Sequence, residues 1–219
     1  MRHIFIAGLL AFSLTPLNAA HMAQPTHNTL VDSLLGQSLG KLQGNVSVAK
    51  LNAVSSEMAR LADMYPQNWL PPYYQALLGI QATLMTRNND KAETAAMDNC
   101  YRLIEKAATL KAADPSEVHA LKAYYYYVLI AMNAKVNGPS LYSRVFGECE
   151  KSLVANPQNP RAKAIAFVFK KQMGAFLHAK DNEDDTKQMQ AIAALFDKEN
   201  KSTVLPTWGK EILSYINLK

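Results

Sequence analysis

Met64-Tyr65-Pro66-Gln67-Asn68-Trp69, Ala113-Asp114-Pro115-Ser116-Glu117-Val118 and Ala155-Asn156-Pro157-Gln158-Asn159-Pro160 read as one junction between two helices written three times. Their prolines stand at 66, 115 and 157, so the spacings are 49 and 42 residues. A self-similar unit of this length points to stacked helical pairs, because one pair cannot bury its own apolar face and needs a neighbour on each side.

Apolar residues recur with helical period on both sides of these junctions. Leu30, Val31, Leu34, Leu35, Leu39 and Leu42 mark one helix over 29–43, and Leu51, Val54, Met58 and Leu61 a second over 48–64. Further periodic runs over about 69–85, 91–111, 115–134, 140–155, 160–178, 186–198 and 207–217 bring the expectation to nine helical segments joined by short loops. Asp114-Pro115-Ser116-Glu117 predicts a helix start with Asp114 as N-cap, Pro115 at the first position and Glu117 reaching back to the cap amide. Across the junctions, Val54/Met58/Leu61, Cys100/Ile104/Ala107 and Val145/Cys149/Ser152 share one spacing, as do Ala120/Ala123/Tyr124/Tyr127 and Ala162/Ile165/Ala166/Phe169. Each set lies on one helix face. The fold class expected is all-α.

The first 20 residues read as an address. Met1-Arg2-His3 is a basic start, Ile4 to Leu14 is an apolar run, and Pro16-Leu17-Asn18-Ala19-Ala20 offers a small-residue cleavage site. Eleven residues are too few to cross a bilayer, which takes about 20. The expected organisation is a signal peptide over 1–20, a flexible mature N-terminus over 21–28 and a single domain over 29–217, exported to the periplasm or beyond and soluble once cleaved. Removing 1–20 takes away Arg2 alone among the charged residues and lowers the net charge from +5 to +4. That balance is too diffuse for nucleic acid.

Trp69-Leu70-Pro71-Pro72-Tyr73-Tyr74, Ala155-Asn156-Pro157-Gln158-Asn159-Pro160-Arg161-Ala162 and Leu205-Pro206-Thr207-Trp208-Gly209-Lys210-Glu211 carry a resemblance to the tetratricopeptide (TPR) family, in particular to small exported TPR-like bacterial proteins. The resemblance implies an α-solenoid of about four helix pairs closed by a C-terminal capping helix. The repeats here are longer than the family's 34 residues, and the aromatic and glycine of its first helix are not in their usual slots. The family lines its concave groove from the first helix of each pair. Carried onto this chain, that face holds Trp69, Pro72, Ala76 and Ile80, then Val118, Leu121, Tyr125 and Leu129, then Lys163, Phe167, Lys170 and Lys171. Such a groove runs from apolar to basic. Tyr125, Lys163, Phe167, Lys170 and Lys171 are the candidate partner-binding residues, suited to a peptide or protein with a carboxylate or an acidic segment. The competing reading is a solvated lysine face over a groove filled by the chain's own ends.

Other features have structural readings. Cys100 and Cys149 fill packing slots of different helix pairs, so buried free thiols are expected over a disulfide. Tyr124-Tyr125-Tyr126-Tyr127 wraps most of a helix and reads chiefly as core. Lys180-Asp181-Asn182-Glu183-Asp184-Asp185 lacks the glycine and distal glutamate of a calcium loop and reads as a solvated helix start. Trp208 reads as part of a capping helix, an aromatic ligand platform being the alternative. No zincin, nucleophile-elbow or phosphate-loop motif occurs, and His21, His27, His119 and His178 lack metal-ligand spacing. The expected protein is therefore a non-enzymatic scaffold without cofactor or metal. Its rivals are a cell-envelope enzyme with an unrecognised site and a carrier of a small apolar ligand.

Overall fold

The computed structural model describes residues 29–86, 91–176, 183–199 and 204–216. Eight α-helices run through them: α1 (Thr29–Gly40), α2 (Val48–Met64), α3 (Leu70–Thr86), α4 (Lys91–Ala108), α5 (Pro115–Met132), α6 (Ala134–Ala155), α7 (Pro160–Phe176) and α8 (Glu183–Lys198), followed by a 3-10 helix, Lys210–Tyr215. No strand occurs among the described residues. The leader over 1–20 and the segment 21–28 lie outside them.

The helix starts are evenly spaced, in a register that differs from the one the prolines suggest. Helices α3, α5 and α7 begin at residues 70, 115 and 160, 45 apart each time. The tight turns before them close between Asn68 N and Tyr65 O, Ala113 N and Leu110 O, and Asn159 N and Asn156 O. Pro66 and Pro157 therefore occupy the second position of a turn, where Lys111 stands in the middle junction, whereas Pro115 is a first helical residue equivalent to Leu70 and Pro160. Proline's fixed φ suits both positions, and for that reason the sequence alone conflates them. Asn68 and Asn159 do the same work in their junctions: Oδ1 of Asn68 accepts from Leu70 N, and Oδ1 of Asn159 from Arg161 N and Ala162 N.

Two ends also differ from expectation. Helix α6 starts at Ala134 rather than 140 and carries Pro139 inside it. Asn133 caps it by accepting from Val136 N, which starts the helix upstream of the Gly138-Pro139 pair that reads as a breaker. The last segment is a six-residue 3-10 helix, not an α-helix over 207–217. Gly209, at φ 107°, turns the chain into it, and Pro206 precedes it closely.

Where the sequence suggests one domain over 29–217, the described contacts cluster into two compact units, one of residues 29–114 with 204–207 and one of Pro115–Glu199 with 208–216. In the first unit α1 packs on α2, α2 on α3 and α3 on α4. Helix α4 buries a single stripe, Glu93, Met97, Cys100, Ile104 and Ala107, while α3 is buried almost all round and forms the unit's centre. Gly79 of α3 lets α4 approach: a Cβ there would stand 2.6 Å from Cys100 Sγ. Tyr74 OH donates to Val204 O at 2.8 Å and ties the 204–207 segment to α3.

In the second unit α5 is the all-round buried helix. It packs on α6 and α7, and α7 also meets α6, α8 and the 3-10 helix. All four tyrosines of 124–127 are buried, as the core reading of the run requires. Arg161, in the first turn of α7, has a side chain with no exposed surface. Its Nε lies 3.2 Å from Glu117 Oε2, and Nη1 and Nη2 donate to Glu199 Oε1 and Oε2 at 2.6 and 3.2 Å. Glu117 also accepts from Asn159 Nδ2 at 2.9 Å, so the carboxylate expected at the α5 cap knits the α5 and α7 starts together. Ser116 and Ser152 complete the knot: Ser152 Oγ donates to Ser116 O at 2.7 Å and Asn159 Nδ2 to Ser116 Oγ at 2.9 Å.

Candidate functional site

Aromatic rings accumulate in the second unit because α5 and α7 both present Tyr or Phe toward the C-terminal segment. Trp208 packs on Tyr124 with centroids 5.1 Å apart, and the Arg161 guanidinium lies 5.9 Å from the Trp208 ring centre. Tyr124 stacks on Tyr127 at 6.4 Å and 18°, and Tyr127 on Tyr215 at 6.5 Å and 10°. Phe169 meets Tyr127 edge-on at 5.9 Å and Phe146 at 5.3 Å. The result is a continuous aromatic ladder of six rings. Trp208, Tyr124, Tyr127 and Phe169 are buried, whereas Phe146 and Tyr215 are half-buried and bring the ladder to the surface.

Polar atoms at this edge are few and placed. Tyr127 OH donates to Gln172 Oε1 at 3.1 Å, and Gln172 Nε2 to Tyr215 O at 3.5 Å. Burial pushes the Tyr124 hydroxyl well above its ordinary pKa of 10.0, with the neighbouring Tyr215, Glu211 and Tyr127 adding to the effect. Burial likewise raises the Glu211 carboxyl, although Gly209 N donates to it at 2.9 Å and Arg161 favours its charge. Stacked rings edged by a few hydrogen-bonding groups are chemically suited to a planar, mostly apolar ligand, but only Phe146 and Tyr215 of the six reach the surface here.

The five candidate groove residues are not one exposed surface. Tyr125 and Phe167 are buried. Tyr125 packs edge-on against Tyr126 at 5.3 Å, and Tyr126 in turn receives Arg144, whose Nη1 donates to its hydroxyl at 3.3 Å. Lys171 donates to Asp185 Oδ2 at 2.6 Å, with both side chains largely covered. Asp185, in the first turn of α8, thus supplies within the chain a carboxylate to one lysine of the basic end; residues 180–182 of the acidic cluster lie outside the described set. Lys163 is half-buried and Lys170 exposed, and these two retain charge facing water. Of the five, only Lys163 and Lys170 keep side-chain surface open with no ion pair among the described residues.

Cys100 and Cys149 are both free and buried. Burial pushes each thiol up to about 12, so neither is a thiolate nucleophile at neutral pH. His119 Nδ1 of α5 meets Glu148 Oε2 of α6 at 2.6 Å, and within α6 Lys151 Nζ donates to the same carboxylate's Oε1 at 2.8 Å. Among the described residues no group of three or more His, Cys, Asp or Glu is placed to hold a metal ion. No helix among them is long and apolar enough to cross a membrane.

Sequence reasoning missed Arg161 and the Tyr124–Tyr127–Tyr215 stack. Arg161 gave no distinctive signal: Lys163 stands in the same first turn of α7 and is half-buried, so a cation set against the helix dipole does not by itself imply a buried carboxylate. Tyr215 reads from the sequence as part of a cap, but its contact with Tyr124 and Tyr127 has no local signal, since these lie 91 and 88 positions upstream.

No family model matches the sequence, and no curated protein is significantly similar to it. Among solved structures, the fold is similar to that of the HusA haemophore from Porphyromonas gingivalis, with a TM-score of 0.68 and 17% identity over 88% of this chain and 92% of that one. At this identity the likeness is one of fold.

Proposed function

We propose that the protein is an exported helical carrier of a flat, aromatic, carboxylate-bearing ligand of the porphyrin class, held against the ladder of the second unit. The observation that carries this reading is the ladder itself: six rings, two of them reaching the surface, on a fold similar throughout to one whose known member is a haemophore. A porphyrin offers two broad π-faces to Tyr124, Tyr127 and Phe169, and carboxylates to the charges left free on α7, Lys163 and Lys170. The helices beneath it form TPR-like pairs, about four with a short C-terminal cap, a reading supported by starts at 70, 115 and 160 and by the matching turns.

Titrating the mature chain with haemin, and in parallel with iron-free protoporphyrin, tests the proposal through the visible absorption band. Saturable one-to-one binding of both is expected, weakened a few-fold by Lys163→Ala combined with Lys170→Ala and more so at low salt, where exposed charges are least screened. Absence of saturable binding to either compound sinks it. The peptide-scaffold reading then regains first place, because the repeat pairs supply grooves of their own.

A further inference from the structure

The rings that give the ladder its area have no free face in this structure. Tyr124 and Tyr127 are 2% and 3% exposed, and one side of Tyr127 is covered by Tyr215 in near-parallel contact. A planar ligand reaches them only if something moves, and the C-terminal segment is unevenly buried. Its first part is anchored, with Trp208, Ile212 and Leu213 buried. Tyr215, further along, is only half-buried: it stacks on Tyr127, hydrogen-bonds with the Tyr124 side chain, and its carbonyl accepts from Gln172 Nε2 at 3.5 Å. Tyr215 also ends a six-residue 3-10 helix, a geometry that seldom persists beyond three or four residues, and the backbone leaves it extended at Ile216.

We propose that Tyr215 is a gate, its ring occupying the face of Tyr127 that the ligand takes, so that binding swings residues 214–216 outward while Trp208, Ile212 and Leu213 stay docked. The gate rests on the carrier reading and adds its route of entry. A phenol ring and a porphyrin compete for the same face, and the porphyrin wins by area. Removing the competitor therefore tightens binding, the opposite of what removing a lining contact does.

Two measurements with haemin decide it. In titrations of the wild type and Tyr215→Ala, the variant is expected to bind about two- to tenfold more tightly, the factor a lost aromatic stack corresponds to. By hydrogen exchange of the wild type, saturating haemin is expected to speed exchange at 214–216 and leave 208–213 unchanged. Weaker or equal binding by a folded variant overturns the gate while leaving the carrier intact, as does unchanged or slowed exchange at 214–216 in a wild type that binds. Failure of the wild type to bind haemin removes the carrier and the gate together. Should Tyr215→Ala not fold, the exchange measurement decides alone.

Discussion

Arg161 shows how one side chain sets the second unit's interior. Its guanidinium is fully buried and its countercharges, Glu117 and Glu199, come from the start of α5 and the end of α8. Removing one partner of such a cluster leaves the others as uncompensated buried charge, so Arg161→Leu is expected to destabilise by about 3–5 kcal/mol, read as a lowered midpoint in urea. An unchanged midpoint would mean the carboxylates find water and the cluster is not an anchor. Glu148 gives a pH dependence of definite sign. Burial raises its pKa, but hydrogen bonds from Lys151 and His119 and the charge of Lys122 outweigh burial, leaving it below its ordinary value of 4.5. A depressed carboxyl contributes stability that is present above its unfolded pKa and lost as pH falls through the folded one. Wild type should therefore lose stability relative to Glu148→Gln as pH drops below 4.5, and parallel melting curves for the two across that range would contradict the assignment.

At the scale of elements, much was legible and the misses have physical causes. The α2 and α4 stripes were readable because each helix buries one face, so polar and apolar residues segregate with helical period. Helices α3 and α5 carry little such contrast, being buried almost all round, and their tyrosines could not be assigned to groove or core from spacing. Tyr125 and Phe167 were placed in a groove by carrying over the TPR family's concave face, and both side chains are buried. The junction register slipped because proline fits a turn and a helix start equally well. The α3–α4 contact adds a prediction. Gly79→Ala improves helix propensity by about 0.5–1 kcal/mol but drives a methyl to within contact distance of Cys100 Sγ, an overpacking that costs about 1–3 kcal/mol. The melting temperature is expected to fall, and Gly79→Ala with Cys100→Ala to recover part of the loss. A rise for the single variant would show that α4 yields at no cost.

At the scale of the whole chain, the sequence's pattern specifies helices and junctions, because these depend on neighbours three, four or a few tens of residues apart. The ladder depends on Trp208 and Tyr215 returning to α5, and nothing local announces that closure. Of the three candidate lysines, Lys163 is half-buried and Lys170 exposed, while Lys171 is engaged by Asp185. Lys171→Ala should accordingly disturb the packing of α8 on α7 more than it disturbs ligand binding, seen as faster hydrogen exchange over α8 with an unaltered haemin affinity. A large loss of affinity without that exchange change would put Lys171 in the site. The central claim is that a planar aromatic ligand lies on the rings of the second unit, and a crystal structure of the mature chain grown with protoporphyrin tests it most directly. The account predicts the macrocycle stacked on Tyr127 and close to Phe169, its carboxylates toward Lys163 and Lys170. A macrocycle bound away from these rings, with the ladder undisturbed, would contradict it.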